Sequence, residues 1–129
     1  SPLSVHLSPV RPETRVSTMV DTSRTVNYGL QQVDILKSST FDQWLKNLRD
    51  SRAKARIQMR ISRLRLGNPG DVRPIGKGLS ELRIDYGPGY RVYYLRVSAV
   101  LVVLLCGGAK GSQALDIEKA RQLAAEWRS

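Results

Sequence analysis

The sequence has 129 residues, of which 41% are hydrophobic and 25% charged, a composition typical of one globular domain rather than of a disordered chain. Its 21 Lys and Arg against 11 Asp and Glu give a formal net charge of +10, which predicts a nucleic acid, an anionic membrane surface or an acidic protein as partner. The single cysteine, Cys106, excludes an internal disulfide, and the longest apolar run, from Val97 to Cys106, is too short for a membrane-spanning helix.

Residues 1–30 differ from the rest of the chain. They are rich in Ser, Thr and Pro and show no sustained hydrophobic period, which predicts a flexible extension with at most one short strand. They also lack the basic start and apolar block of a secretory signal. Three arginines and two acids give this segment a charge of +1, so that +9 remains in residues 31–129. We therefore expect the functional domain in residues 31–129.

The first elements of this domain are a strand and a helix. Alternation from Val33 to Lys37 predicts a short strand. Thr40 and Gln43 have the spacing of a capping box, which predicts that a helix begins at Thr40. The residues with helical spacing that would form its apolar face are Phe41, Trp44, Leu45 and Leu48.

A second helix follows Asp50–Ser51 and ends at the turn GNPG, residues 67–70. Its inward positions are Ala53, Ile57, Ile61 and Leu64. The helix and its approach also carry eight cations, with Asp50 as the one acid among them: Lys46, Arg49, Arg52, Lys54, Arg56, Arg60, Arg63 and Arg65. A solvated helix face would gain from i,i+4 ion pairs, and almost none are possible here. A bound polyanion, either RNA or an acidic protein segment, explains this stripe better.

The second half of the chain is typical of strands. The four segments are Val72–Ile75, Leu79–Tyr86, Tyr90–Val97 and Ala99–Cys106. The last is apolar on both faces, as in a central strand, and we expect Gly107–Gly108 to end it. A final helix starts near Ser112, with an inner face of Ile117, Ala120, Leu123, Ala124 and Trp127. We predict an α+β fold of the order β-α-α-β-β-β-α, with two N-terminal helices and one C-terminal helix on an antiparallel sheet. Cys106, in an apolar run, is more typical of core packing than of a nucleophile.

One face of the central strands mixes charged and aromatic residues. Alternation places Glu81, Arg83 and Asp85 on one face of their strand, and Arg91 and Tyr93 on one face of the next. Such a face suits RNA, because guanidinium groups bind phosphate bidentately and tyrosine stacks on bases. An exposed sheet face with cross-strand pairs, such as Arg83 with Tyr93, would give the same pattern. Pattern alone leaves both interpretations open.

Three segments carry a resemblance to a known family. They are TFDQWLKNLRDSRAKARIQMRISRL, GNPGDVRPIGKGLSELRIDYGPGYRVYYL and VLLCGGAKGSQALDIEKARQLAAEW. Together they resemble the addiction-module killer proteins, a phage-associated branch of the RelE/HigB toxins of type II toxin–antitoxin systems. The resemblance covers residues 32–128, is most specific in ELRIDYGPGYRVYY and GGAKGSQALDI, and leaves out the first 30 residues.

The resemblance implies a microbial-ribonuclease-like fold and cofactor-free cleavage of mRNA in the ribosomal A site, in the cytoplasm. It also implies neutralisation by a cognate antitoxin, a DNA-binding protein of the HigA type. By position, Arg83 and Arg91 match strand cations that bind the scissile phosphate, and Lys110 matches a basic residue just before the last helix. Ala109 stands where many relatives have an acid, which alters the charge around Lys110.

RNA cleavage without a metal needs a proton acceptor for the 2′-OH, stabilisation of the phosphorane and a proton for the leaving 5′-oxygen. His6 lies in the extension, and no cluster of His, Cys and carboxylates has the spacing of a metal site. Our hypothesis assigns phosphate binding to Arg83 and Arg91, proton abstraction to Lys110 or Glu81, stacking or proton transfer to Tyr93, and positioning to Gln113. Further RNA contacts are expected from Arg56, Arg60, Arg63, Arg73, Lys77, Tyr90 and Gln113.

Two other functions fit the same sequence. A ParE-like toxin would share the fold but inhibit DNA gyrase without cleaving RNA. A catalytically inactive nucleic-acid-binding module would keep the fold and the charge alone, although no helix-turn-helix signature is present. A map of RNA cleavage sites and an assay for double-strand DNA breaks separate the three.

Overall fold

A computed structural model of the chain describes the backbone of residues 5–7 and all atoms of residues 32–128. Within these residues, six strands form one sheet and three α-helices cover it. The strands are β1 (Val5–Leu7), β2 (Asp34–Ser38), β3 (Val72–Gly76), β4 (Leu79–Ile84), β5 (Tyr90–Ser98) and β6 (Leu101–Ala109). The helices are α1 (Ser39–Asn47), α2 (Ser51–Arg65) and α3 (Gln113–Arg128), the last preceded by a 3₁₀ turn at Lys110–Ser112. None of the helices in the described part is long and apolar enough to cross a membrane.

The sheet has the order β1-β2-β6-β5-β4-β3 and is mixed. The α+β class is confirmed, but the prediction of an antiparallel sheet is wrong for one pair, since β2 runs parallel to β6. The helices α1 and α2 carry the chain away from β2, and the hairpins β3 to β6 then bring it back to the free edge of β2. Four strands follow α2, in agreement with the four predicted segments, whereas the predicted order contains only three. The additional one is β3, an edge strand paired with β4.

β1 lies in the N-terminal extension, for which at most one short strand was predicted. It pairs antiparallel with the outer edge of β2, with Val5 opposite Ser38 and Leu7 opposite Leu36. The predicted flexibility of the remaining extension falls on residues outside the described part of the chain.

α1 and α2 pack on one face of the sheet. The four inward residues predicted for α2 (Ala53, Ile57, Ile61 and Leu64) are its buried residues, so the helical period is confirmed. The N-cap of α1 is Ser38 and not Thr40. The Ser38 hydroxyl accepts a hydrogen bond from Phe41 N at 3.0 Å and donates one to the carbonyl of Leu105 at 2.7 Å. The N-cap is therefore the residue whose hydroxyl also bonds to β6, and the capping-box spacing does not indicate this tertiary contact.

α3 packs on the opposite face. Ala120 and Ala124 are buried there, and the other predicted inner residues pack beside them in part. A bulge in β6 between the partners of Tyr93 and Tyr94 turns both Leu105 and Cys106 toward α3. Burial raises the pKa of the Cys106 thiol to about 12, which agrees with a packing role and not with a nucleophile.

The end of β6 carries two glycines inside the strand. The prediction that Gly107–Gly108 ends the strand is wrong, because β6 continues to Ala109. A Cβ on Gly107 would overlap the Trp44 ring of α1, and a Cβ on Gly108 would overlap the Asp116 carboxylate of α3. The glycines therefore let helices on both faces lie close against this end of the sheet.

Candidate active site

A cleft of about 340 Å³ lies beside the turn between β4 and β5. Three cations line it, and each comes from a different segment: Arg83 from β4, Arg91 from β5 and Lys110 from the turn after β6. Three of the five residues predicted as catalytic therefore share one cavity. Asp71 and Asp85 line the cleft as well, so that the lining has more positive than negative charge.

The register of the central hairpin brings two of the cations together. Arg83 lies directly opposite Arg91, an arrangement of like charges that by itself destabilises a pair of strands. Asp71 offsets this repulsion, because its Oδ1 accepts hydrogen bonds from Arg83 Nε at 3.2 Å and from Nη2 at 2.9 Å. These hydrogen bonds and the negative charge of Asp71 raise the pKa of Arg83. The guanidinium is thereby held at the cleft while its side chain stays partly exposed.

A backbone contact places Lys110. Its N–H donates to the carbonyl of Gly89 at 2.7 Å and so joins the end of β6 to the β4–β5 turn. Gly89 has a φ of +88°, a conformation that a side chain would strain. The Lys110 side chain itself is exposed at the cleft.

A buried carboxylate lies behind the cations. Glu81 has no exposed surface, and its Oε1 accepts a hydrogen bond from Arg73 Nε at 3.1 Å. Its Oε2 accepts hydrogen bonds from Tyr93 Oη at 3.0 Å and Gln113 Nε2 at 2.7 Å. Arg91 Nε lies 3.3 Å from the same oxygen as an ion pair, but its N–H is not aligned and makes no hydrogen bond within the described residues. Glu81 thus joins residues of β3, β4, β5 and α3.

The hydrogen bonds to Glu81 determine the ionisation state of its carboxyl group. Burial alone would raise the pKa of this carboxyl, but the hydrogen bonds from Gln113, Arg73 and Tyr93, with the charge of Arg73, outweigh it and lower the pKa. Burial and the Glu81 charge in turn raise the pKa of Tyr93, so its hydroxyl stays protonated as a donor. Tyr93 is fully buried and therefore cannot stack on a base. The cross-strand partner of Tyr93 is Glu81, so the pair of Arg83 with Tyr93, given above as an example for an exposed sheet face, does not form.

Comparison with known proteins gives one close relative. No family model matches the sequence, and no solved structure matches it. A protein of Haemophilus influenzae strain Rd, described as an uncharacterized protein, is 51% identical over 94 residues, which cover 73% of this chain and 95% of the relative. The chain belongs to the same protein family. That description names no activity, so a function for the family has to rest on the residues of the cleft.

Several residues predicted to contact RNA surround the cleft or support it. Arg73 and Gln113 bind Glu81. Tyr90 lines the cleft, and its ring packs edge-on against Trp44 with centroids 6.4 Å apart. Arg73 and Gln113 therefore support the cleft indirectly, through Glu81, whereas Tyr90 forms part of the cleft wall.

The remaining predicted contacts lie outside the cleft. Arg56 and Arg63 line a neighbouring groove on α2. The Arg60 guanidinium donates to the carbonyls of Pro69, Asp71 and Arg83, so this side chain holds the loop before β3 against α2. Lys77 lies in the β3–β4 turn, beside a separate depression lined by Trp127 and Arg128.

Sequence reasoning missed Asp71. It follows the turn that ends α2 and precedes β3, where no period assigns a direction to a side chain. Only the register, which brings Arg83 beside the β3 edge, shows that its carboxylate supports a cation of the cleft. Ser112 was also missed as a partner of Asp116, to which its hydroxyl donates at 2.5 Å at the start of α3.

Proposed function

We propose that this chain is the toxin of a type II toxin–antitoxin system and that it cleaves mRNA in the ribosomal A site, in the cytoplasm. The observation that carries the proposal is the convergence of Arg83, Arg91 and Lys110 in one cleft with the buried Glu81 behind them. The order of elements in residues 34–128 supports a RelE/HigB-like fold, with β2 before the two helices and α3 after the hairpins. Neutralisation is assigned to a HigA-type antitoxin.

In this mechanism, the guanidinium groups of Arg83 and Arg91 bind the scissile phosphate. Their opposite positions on β4 and β5 put two guanidinium groups on one face of the sheet, and each of them can bind phosphate oxygens through two parallel N–H groups. Two fixed cations also stabilise the extra negative charge of the phosphorane, because they need no reorganisation during the reaction. Asp71 and Glu81 hold these cations apart in the absence of RNA.

Proton abstraction from the 2′-OH is assigned to Lys110 and not to Glu81. The 2′-oxygen then bonds to phosphorus as the bond from phosphorus to the 5′-oxygen breaks, the 5′-oxygen takes a proton from water, and Lys110 afterwards returns its proton to solvent. The Glu81 oxygens already accept three hydrogen bonds, the group is fully buried, and its pKa is lowered, all of which make it a poor proton acceptor. Lys110 is exposed at the cleft. Lysine is a poor general base at neutral pH because its amine is mostly protonated there. Orientation of the substrate, however, contributes up to about 7–11 kcal/mol in well-aligned reactions. This explains why the proposed enzyme depends on the ribosome.

The test is controlled expression in a bacterial host, with growth and new RNA 5′ ends followed across the transcriptome. The triple variant Arg83→Ala, Arg91→Ala, Lys110→Ala removes the cleft cations. A matched triple variant, Arg96→Ala, Lys119→Ala, Arg121→Ala, removes the same charge from exposed positions elsewhere. We expect growth arrest, with cuts confined to translated codons, for the wild type and the matched variant, and neither effect for the cleft variant.

Two results would contradict the proposal. Arrest without new RNA ends, accompanied by double-strand DNA breaks, would favour the gyrase-inhibiting function. Absence of arrest with well-expressed, folded wild-type protein would favour a binding module without catalytic activity.

A further inference from the structure

Two acids lie in the cleft among its three cations. Asp71 and Asp85 line the same cavity as Arg83, Arg91 and Lys110, so the lining carries a net charge of +1. A cleft that only attracted polyanions would bind them better without the acids, because each acid weakens the positive field. The presence of carboxylates in a phosphate-binding cleft therefore requires a separate explanation.

The backbone of Asp71 is held in place on both sides. Its carbonyl accepts hydrogen bonds from Arg83 N at 2.9 Å and from Arg60 Nη2 at 3.1 Å. Arg60 also donates to the carbonyl of Pro69, and Gly70, between the two, has a φ of +80°. A Cβ at Gly70 would lie 3.1 Å from Arg60 Nη2. The fold therefore fixes Asp71 beside the cleft before any ligand binds.

The Asp71 carboxylate occupies one edge of the Arg83 guanidinium. Its Oδ1 accepts hydrogen bonds from Nε at 3.2 Å and from Nη2 at 2.9 Å, which together form the side-on fork of the arginine. The end-on fork, formed by Nη1 and Nη2, is the edge through which Arg83 can bind a phosphate in the cleft. A phosphate on that edge shares one guanidinium with the carboxylate, so the two anions lie close enough to repel each other.

We propose that Asp71 makes the cleft selective for internal phosphodiesters of RNA over terminal phosphate groups. An internal phosphodiester carries a single negative charge, which matches the net charge of +1 in the lining. A terminal phosphomonoester carries about −1.5 to −2 at pH 7, and the Asp71 carboxylate repels this additional charge. Rejection of a wrong ligand by a like charge is a general means of specificity. The inference rests on the proposed function, in that Arg83 and Arg91 bind the phosphate.

This selectivity has a consequence for the choice of substrate. RNA fragments that end in a phosphate would not compete with the interior of an RNA chain for the cleft. The proposed enzyme would therefore bind within a chain and not at its phosphorylated ends. The same cations without Asp71 would favour the ends, because a terminal phosphate carries the larger charge.

Two ligands that differ by one methyl group test the proposal. They are 2′-deoxyuridine 3′-phosphate, a monoester, and 2′-deoxyuridine 3′-(methyl phosphate), a diester, and neither can be cleaved because the 2′-OH is absent. Amide NMR signals of Gly89 and Lys110 in the full-length chain give both dissociation constants, at about pH 7.5, where the monoester carries most of its second charge. We expect the wild type to bind the diester at least as tightly as the monoester. Tighter binding of the monoester would overturn the proposal.

Asp71→Asn removes the charge and keeps an oxygen that can accept hydrogen bonds from Arg83. We expect this variant to shift the ratio of the two dissociation constants by about tenfold in favour of the monoester. Glu118→Gln removes the same charge from an exposed position outside the cleft and should keep the wild-type ratio. An unchanged ratio for Asp71→Asn would contradict the proposal.

Asp71→Ala separates the charge from the hydrogen bonds. This variant loses both, so we expect the same shift in the ratio, with weaker binding of both ligands than in Asp71→Asn because Arg83 is no longer oriented. The Asp71 side chain is 54% exposed, so neither replacement leaves a buried cavity. A shifted ratio for Asp71→Ala but not for Asp71→Asn would assign the selectivity to the orientation of Arg83, and the proposal would be wrong.

Failure here is distinguishable from failure of the proposed function. Binding of both ligands with the wild-type ratio in Asp71→Asn would contradict the selectivity alone and leave phosphate binding in the cleft standing. The expected shift without RNA cleavage in cells would overturn the nuclease and support the selectivity. Unchanged Gly89 and Lys110 signals with either ligand would contradict both. Binding is the readout, and not cleavage, because the phosphorane carries a second negative charge on which Asp71 acts as well.

Discussion

Glu81 is a carboxylate without exposed surface that nevertheless remains ionised at neutral pH. Burial of a charge is costly unless hydrogen bonds and opposite charges compensate for lost water. Here Arg73, Tyr93 and Gln113 supply the hydrogen bonds, and Arg91 supplies a further positive charge. The residue therefore acts through others, as the group that positions Arg91 at the cleft.

Replacement Glu81→Gln should reduce the unfolding free energy by about 1–3 kcal/mol, because Arg73 and Arg91 would lose their anionic partner. Urea denaturation gives the value, and Glu118→Gln on the exposed side of α3 is the control, with a change within about 0.5 kcal/mol. RNA cleavage should decrease as well, since Arg91 would no longer be held. Equal stability of the two variants would show that the contacts of Glu81 contribute little.

The same carboxylate makes stability depend on pH. Its pKa in the folded chain lies below the ordinary value of 4.5, so ionised Glu81 stabilises the fold above about pH 4.5. This contribution is lost as the pH falls through the lower, folded pKa. Urea unfolding from pH 7 to pH 3 should therefore show a steeper decrease for the wild type than for Glu81→Gln. Parallel curves would assign the acid sensitivity to other carboxylates.

At the scale of elements, local patterns predicted what local physics determines. The helical period identified the buried residues of α2, because residues close in sequence form the apolar face of a helix. Alternation placed Arg91 and Tyr93 on one face of β5 for the same reason. The parallel pairing of β2 with β6, and the contact of Asp71 with Arg83, depend on residues distant in sequence, which no local period reports.

The start of α1 allows a direct test of this distinction. Ser38→Ala removes the cap of Phe41 N and the donor to Leu105 O, so the unfolding free energy should fall by about 1–2 kcal/mol. Thr40→Ala changes the residue that the capping-box spacing indicates, and we expect an effect within about 0.5 kcal/mol. Thermal or urea denaturation of both variants measures the difference. A larger loss of stability for Thr40→Ala than for Ser38→Ala would show that Thr40 is the N-cap, as the capping-box spacing indicates.

At the scale of the whole molecule, the formal charge of +10 predicted a polyanionic partner, and the structure adds where part of that charge lies. Arg83, Arg91 and Lys110 line the cleft, and arginines of α2 line the groove beside it. Composition could not predict this distribution, because the cleft forms only when the register sets Arg83 against Arg91 and the backbone of Lys110 bonds to Gly89.

Salt dependence tests the cleft as the phosphate-binding region. For single-stranded RNA, each phosphate neutralised adds about −0.7 to the slope of log affinity against log salt. Loss of the three cleft cations should therefore reduce the slope by about 2, measured by anisotropy with a 16-nucleotide RNA. The matched variant Arg96→Ala, Lys119→Ala, Arg121→Ala should keep most of the wild-type slope. Equal slopes for the two triple variants would show that RNA binds to cations over the whole surface and not mainly to those of the cleft.

The paired glycines of β6 have a consequence for variation in this family. Gly107 and Gly108 have neighbours on opposite faces, Trp44 and Asp116, that occupy the space of any side chain. In a saturation mutagenesis screen scored by the level of folded protein, both positions should rank among the least tolerant, at a distance of only two or three residues from Lys110. Intolerance of substitution at these positions would reflect the close packing of α1 and α3 against the end of β6. A survey of natural variants would therefore mark this tip of the sheet as strongly constrained even in relatives that had lost all activity but kept their shape.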